Sequence, residues 1–148
     1  MRVPDRLVID ASVVVKLVLP ENGAAQVRRL FDLRAREEVQ LRAPDVVVAE
    51  AANAIWKRCR LRRELSEDDS RRALADLLAD LPDLVPSTAL ISQAFEIALA
   101  FRRPVYDCLY VALAEREGCP LVTADVPLIR SVGPATGRVL ALDAFDLG

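Results

Sequence analysis

Short apolar runs, too brief to be helices, alternate along the chain with longer segments of helical period, and this alternation restricts the folds open to it. Arg6-Leu7-Val8-Ile9 reads as a buried strand ending at Asp10. Asn22 to Glu38 carries Val27, Leu30 and Phe31 on one face of an amphipathic helix. Gln40 to Ala43 reads as a short strand closed by Pro44, and Asp45 to Leu61 as a second long helix with Asp45 as its N-cap. Ser66-Glu67-Asp68-Asp69 opens a third helix, its acids in the first turn where the helix dipole favours them. Leu84-Val85 is a further strand, Ala89 to Arg103 a helix ended by Pro104, and Asp107 to Glu117 a helix stopped by Gly118. Pro120 to Thr123 and Val139 to Leu142 complete the strands. Strand following helix throughout implies right-handed crossovers and a parallel sheet covered on both faces. The expected fold is therefore α/β: one three-layer α/β/α domain over residues 1–148 with a mostly parallel sheet. In such sheets ligands bind beyond the carboxyl ends of the strands, and Asp10 and Asp125 each follow one.

Composition then limits the chemistry. The 148 residues are 53% hydrophobic and 28% charged, which suits one folded domain with a substantial core. No apolar run reaches the roughly 18 residues of a membrane span; Ala11 to Leu19 is interrupted by Lys16 and closed by Pro20. With no leader-like start either, the expected location is the cytoplasm, without a membrane. Three cysteines, none in a C-x-x-C pair, fit reduced thiols in that compartment. The chain has no histidine, which removes Ser-His-Asp and Cys-His catalysis and the usual zinc sites. What remains is chemistry by carboxylates, Lys and Arg, hydroxyls, or a metal held by oxygen. The formal charge of −2 gives no overall basic footprint, so any nucleic-acid contact must be local. Lys57, Arg58, Arg60, Arg62 and Arg63 form such a cluster, which equally suits a solvated helix C-terminus.

Four acids stand out. Asp10 and Asp125 follow strands, and either suits a helix N-cap, Asp125 being followed closely by Pro127. Asp107 opens a helix and could cap it. Glu50 lies in the apolar run Val46-Val47-Val48-Ala49-Glu50-Ala51-Ala52, where an ionised carboxylate is costly unless paired, protonated or cation-bound. Glu50, Asn53 and Lys57 share one narrow polar stripe of that helix. If the four converge, they raise one another's pKa unless a cation neutralises them. Hard oxygen ligands without His or Cys select Mg²⁺ or Mn²⁺, and a carboxylate-held divalent ion suits phosphodiester hydrolysis. Trp56 reads either as core or as the mark of a groove for a partner helix, and Tyr106 and Tyr110, flanking Asp107, as packing or as base-stacking groups.

The segments Val8-Ile9-Asp10-Ala11-Ser12-Val13, Pro44 to Asn53, Tyr106 to Ala114 and Leu121-Val122-Thr123-Ala124-Asp125 resemble, in that order, the motifs of PIN-domain nucleases. The resemblance runs from about Leu7 to about Leu142 and is closest to the VapC-type toxins of toxin–antitoxin pairs. It implies an α/β/α fold, a homodimer and Mg²⁺- or Mn²⁺-dependent endonuclease action on RNA. It assigns metal binding to Asp10, Glu50, Asp107 and Asp125, and supporting positions to Ser12, Asn53 and Thr123. It further implies a small antitoxin protein that blocks the site, with DNA contacted only through that partner. Three other readings compete with this one. A haloacid dehalogenase-type phosphatase needs a second Asp two residues after the first, where this chain has Ser12. A dinucleotide-binding domain needs a glycine-rich turn after the first strand, and none is present. A non-catalytic PIN-like scaffold that dimerises and binds RNA or protein is the remaining alternative; it typically lacks some of the acids, and this chain has all four.

Overall fold

The computed structural model describes residues 1–148. Five strands, β1 (Arg6–Ile9), β2 (Gln40–Pro44), β3 (Asp83–Val85), β4 (Leu121–Thr123) and β5 (Val139–Ala141), form one parallel sheet in the order β3-β2-β1-β4-β5. The chain thus moves outward from β1 in one direction through β2 and β3, then returns to the other side of β1 for β4 and β5. The crevice between β1 and β4 is the topological switch point, where parallel α/β sheets leave room for a ligand.

The helices are α1 (Ala11–Val14), α2 (Ala24–Ala35), α3 (Val46–Arg60), α4 (Glu67–Ala79), α5 (Ile91–Phe101), α6 (Val105–Glu117) and α7 (Val126–Thr136). Helix α6 packs over β1, β2 and β4 and is covered in turn by α5. Its residues Cys108 to Ala114 are buried without a break, so its middle two turns have no solvent face. Helix α3 packs on β2 and α1, and α4 leans on α3. Because a parallel sheet is enclosed on both faces, its central strands are apolar throughout: Leu7, Val8, Ile9, Leu121 and Val122 are all fully buried.

The α/β architecture with a parallel sheet agrees with the expectation, and the element boundaries differ in ways that have local causes. Helix α2 begins only at Ala24, because Gly23 has the left-handed φ of 91°, and it ends at Ala35 ahead of Glu37, also at positive φ. The segment Ala89–Arg103 is a 3₁₀ turn over Ser87–Ala89 followed by the shorter α5, with Arg102 left-handed at its end. Asp45 precedes α3 but does not cap it. Its carboxylate instead accepts hydrogen bonds from the backbone N–H and hydroxyl of Ser87, tying the start of α3 to the end of β3. Helix α6 starts two residues before Asp107, which therefore occupies its first turn and is no cap. Ser66 caps α4 as its sequence suggests, accepting from the Asp69 N–H at 3.0 Å. Helices α1 and α7 fill the segments directly after Asp10 and Asp125.

Candidate functional site at the switch point

The site begins with Asp10, one residue beyond β1. Its Oδ1 accepts from the N–H of Val13 at 3.2 Å, which caps α1, and from the hydroxyl of Ser12 at 2.5 Å. Its Oδ2 accepts from the hydroxyl of Thr123, the last residue of β4. The Ser12 hydroxyl in turn accepts from the Ala124 N–H at 2.9 Å, and that of Thr123 from the Asp125 N–H at 3.0 Å. The ends of β1 and β4 are joined by this small hydroxyl network, at the place where β-ladder bonds run out.

Asp125 is the N-cap of α7: its Oδ1 accepts from the Leu128 N–H at 3.1 Å. Its Oδ2 lies 3.5 Å from Nη2 of Arg103, and the same nitrogen donates to Asp107 Oδ2 at 2.9 Å. Glu50, on α3, accepts at Oε1 from the hydroxyl of Tyr110 at 2.7 Å. Tyr110 is one turn along α6 from Asp107, so one helix supplies both an acid of the site and the group that fixes another. Asn53 and Lys57 join Glu50, Ala11, Ser12 and Val15 around an open groove, so the polar stripe read from the sequence is real. Asn53 makes no hydrogen bond to any of the acids.

The electrostatics are those of a site short of positive charge. Burial pushes the Asp10 carboxyl up to about 6, against the lowering effect of its bonds from Ser12, Thr123 and Val13, and the charge of Glu50 adds to the rise. Burial also raises Glu50, with Asp107 contributing and the Tyr110 bond opposing. Asp107 is raised by burial and by Asp125, with Arg103 acting in the other direction. Each acid thus feels the next, in the order Asp10, Glu50, Asp107, Asp125. Only Arg103 forms an ion pair with any of them, and it serves the Asp107–Asp125 end. No three acidic side chains are gathered into a ready metal cage. The donor set nevertheless fits a hard divalent cation: carboxylate oxygens alone, two of the acids without a cationic partner, and three raised by burial and mutual repulsion.

Two residues here were not read from the sequence as part of the site. Tyr110 was weighed as packing or as a base-stacking group; it is 2% exposed, and its ring packs while its hydroxyl positions Glu50. Arg103 carries the signal of an i, i+4 spacing to Asp107, hidden because the helix between them is broken by Arg102 and Pro104. The basic cluster separates: Arg58 is held by Glu21 and Glu64, Arg60 by Glu67, and only Lys57 lies on the groove with Glu50. The three cysteines are free.

A five-stranded parallel sheet with acidic residues at its switch point defines an α/β protein whose candidate site is built on carboxylates. The profile of the PIN domain family matches residues 7–130, and the chain belongs to that family. Among its relatives, Ribonuclease VapC3 of Pyrobaculum aerophilum is 37% identical over 122 residues, covering 81% of this chain and 89% of the relative. Ribonuclease VapC1 of Mycobacterium tuberculosis is 33% identical over 130 residues, covering 87% and 92%. The crystal structure of PAE2754 from Pyrobaculum aerophilum superposes with a TM-score of 0.69 at 24% identity, over 94% of this chain and 85% of that one. Mycobacterium tuberculosis VapC20, a sarcin–ricin loop cleaving toxin, superposes with a TM-score of 0.60 at 19% identity, over 81% and 90%. These last two bear on the fold alone.

Ionising Asp10 in the folded chain costs roughly 3 kcal/mol more than in the unfolded one, since its carboxyl lies about two pKa units above the ordinary 3.8. For an acid raised on folding, stability falls as pH climbs from about 4 to about 6 and stays lower above that. Asp10→Asn, which retains a capping side chain, is therefore expected to be more stable than the parent in chelator at pH 7.5, by roughly 1–3 kcal/mol. The advantage should vanish below about pH 4. Urea unfolding at both pH values measures it, and equal stability at pH 7.5 would contradict the burial cost.

Proposed function

We propose that this chain is a divalent-metal-dependent endoribonuclease of the VapC type, acting as the toxin of a toxin–antitoxin pair in the cytoplasm. The observation that carries the reading is that four acids from four different elements influence one another in sequence, Asp10 with Glu50, Glu50 with Asp107 and Asp107 with Asp125, with one arginine to balance them. Relatives named ribonucleases, matched over more than four-fifths of both chains, support the substrate class.

Asp10, Glu50 and Asp107 would hold Mg²⁺ or Mn²⁺, with Asp125 completing the charge of the site. A divalent ion there supplies Lewis acidity toward a phosphoryl oxygen and lowers the pKa of a water molecule. The chain's own groups set the geometry. Ser12 and Thr123 fix the Asp10 carboxylate without neutralising it, because hydroxyl donors bring no charge. Tyr110 engages Oε1 of Glu50 and leaves Oε2 outside that bond. Lys57, on the same groove, is placed to meet an RNA phosphate.

Two surfaces suit the expected protein partners. Between α3 and α4, Ile55, Trp56 and Leu74 line an apolar groove of about 250 Å³, with the Arg60–Glu67 ion pair beside it and Trp56 50% exposed. This is where we place the antitoxin. On α5, Ile91, Phe95 and Leu99 fall on one face and are exposed, which suits the homodimer contact.

Purified chain, freed of partner, should cut RNA with Mn²⁺ or Mg²⁺ and stop in chelator. Asp10→Asn and Asp107→Asn should each lower the rate at least about 100-fold, and Tyr110→Phe about 10-fold. A folded chain that leaves varied RNAs intact under every metal would favour the scaffold reading. Light scattering should find a dimer that Phe95→Glu converts to monomer. Because Trp56 is the single tryptophan, a partner seated on the α3–α4 groove should shift its emission to the blue, and an unchanged spectrum in the complex would place the partner elsewhere.

A further inference from the structure

We propose that Arg103 is the second cation of this site: its guanidinium occupies the position between Asp107 and Asp125, so that each chain takes one divalent ion and not two. The inference rests on the metal-dependent reading above and specifies how many ions that reading requires.

The four acids divide into two halves with different needs. Asp10 and Glu50 have neutral partners only: hydroxyls and a backbone N–H for Asp10, and the Tyr110 hydroxyl for Glu50. Hydrogen bonds from neutral donors satisfy lone pairs but leave the charge in place, so this half still lacks a cation. Asp107 and Asp125 are served by one nitrogen, Arg103 Nη2, at 2.9 and 3.5 Å. A guanidinium is always protonated and takes a fixed planar shape, so it acts here as a permanent bridging charge.

Arg103 is built into this position. Its side chain is only 20% exposed, and its buried Nε has no hydrogen-bond partner. A solvated surface arginine would not bury a donor in this way; here the side chain accepts that loss while its tip bridges two acids. The backbone delivers it there: left-handed Arg102 ends α5, Pro104 starts α6, and Arg103 lies at the corner between them, four residues before Asp107. Asp125 is equally constrained, since its Oδ1 is used to cap α7 and only Oδ2 faces Arg103. A second divalent ion between Asp107 and Asp125 would have to displace the guanidinium and leave it without either acid. The groups left without a cation are Asp10 and Glu50, beside the Asp107 oxygen that Arg103 does not engage, and the one ion of the metal-dependent reading would be drawn to them.

Titration calorimetry with Mn²⁺ alone, without RNA, counts the ions. The intact chain should bind one Mn²⁺ per chain. Arg103→Ala should bind two, while Arg103→Lys, which restores a cation at the corner, should return the count to one. Asp125→Asn tests the idea without touching the arginine, should Arg103→Ala fold poorly. It should still bind one ion, because Asp125 is held by Arg103 and not by metal. Two ions on the intact chain, one ion on folded Arg103→Ala, or loss of the ion in Asp125→Asn would each overturn the proposal alone. No binding by any of the proteins would overturn it together with the metal-dependent reading.

Discussion

At the end of β1 the hydroxyls of Ser12 and Thr123 close on the carboxylate of Asp10, and neither carries charge. An arginine in their place would have made Asp10 half of a structural ion pair. Hydroxyl donors instead fix both oxygens and orient the group while leaving its negative potential in the crevice. The same two hydroxyls accept N–H bonds from Ala124 and Asp125, so the fixing of Asp10 also fixes the start of the segment after β4. β-Ladder bonding between β1 and β4 extends only as far as Ile9 and Val122, and the hydroxyl network takes over where it stops. The geometry of the site is therefore continuous with that of the sheet.

Asp10 and Asp125 each use their two oxygens differently. In both, Oδ1 caps a helix, while Oδ2 accepts from Thr123 in Asp10 and meets Arg103 in Asp125. Capping, which looks like a rival to site membership when either residue is taken alone, leaves the second oxygen free to take another partner. A helix N-terminus provides N–H donors that hold one oxygen, and the macrodipole favours the negative charge. Positions just beyond parallel strands, where helices begin, are thus good places to anchor an acid by one oxygen while the other bonds across the sheet's end.

Most of the frame was legible in the sequence because parallel strands and their helices differ in length and period: β1 and the Glu50 helix could be bounded within a residue or two. The order of the strands was not legible, since periodicity says nothing of which strand lies beside which. Errors gathered where side chains bond over long distances or backbone turns left-handed. Asp45 resembles a cap, but Ser87, 42 residues away, claims its carboxylate. Arg103 sits beyond a helix break that conceals its spacing to Asp107. The four acids could be named, and the stripe of Glu50, Asn53 and Lys57 could be drawn, because each rests on local chemistry. The hydroxyl of Tyr110, which crosses from α6 to α3, is a tertiary contact with no local signature.

Helix α6 has no exposed side along its middle two turns, and this limits how the protein can be controlled. Turning or sliding it would unpack residues against three strands and against α5 at once. Asp107 and Tyr110 ride on that helix, so their positions are as stiff as the core itself. A binding event at the surface therefore has no soft lever through α6 by which to displace Asp107 or swing the Tyr110 hydroxyl away from Glu50.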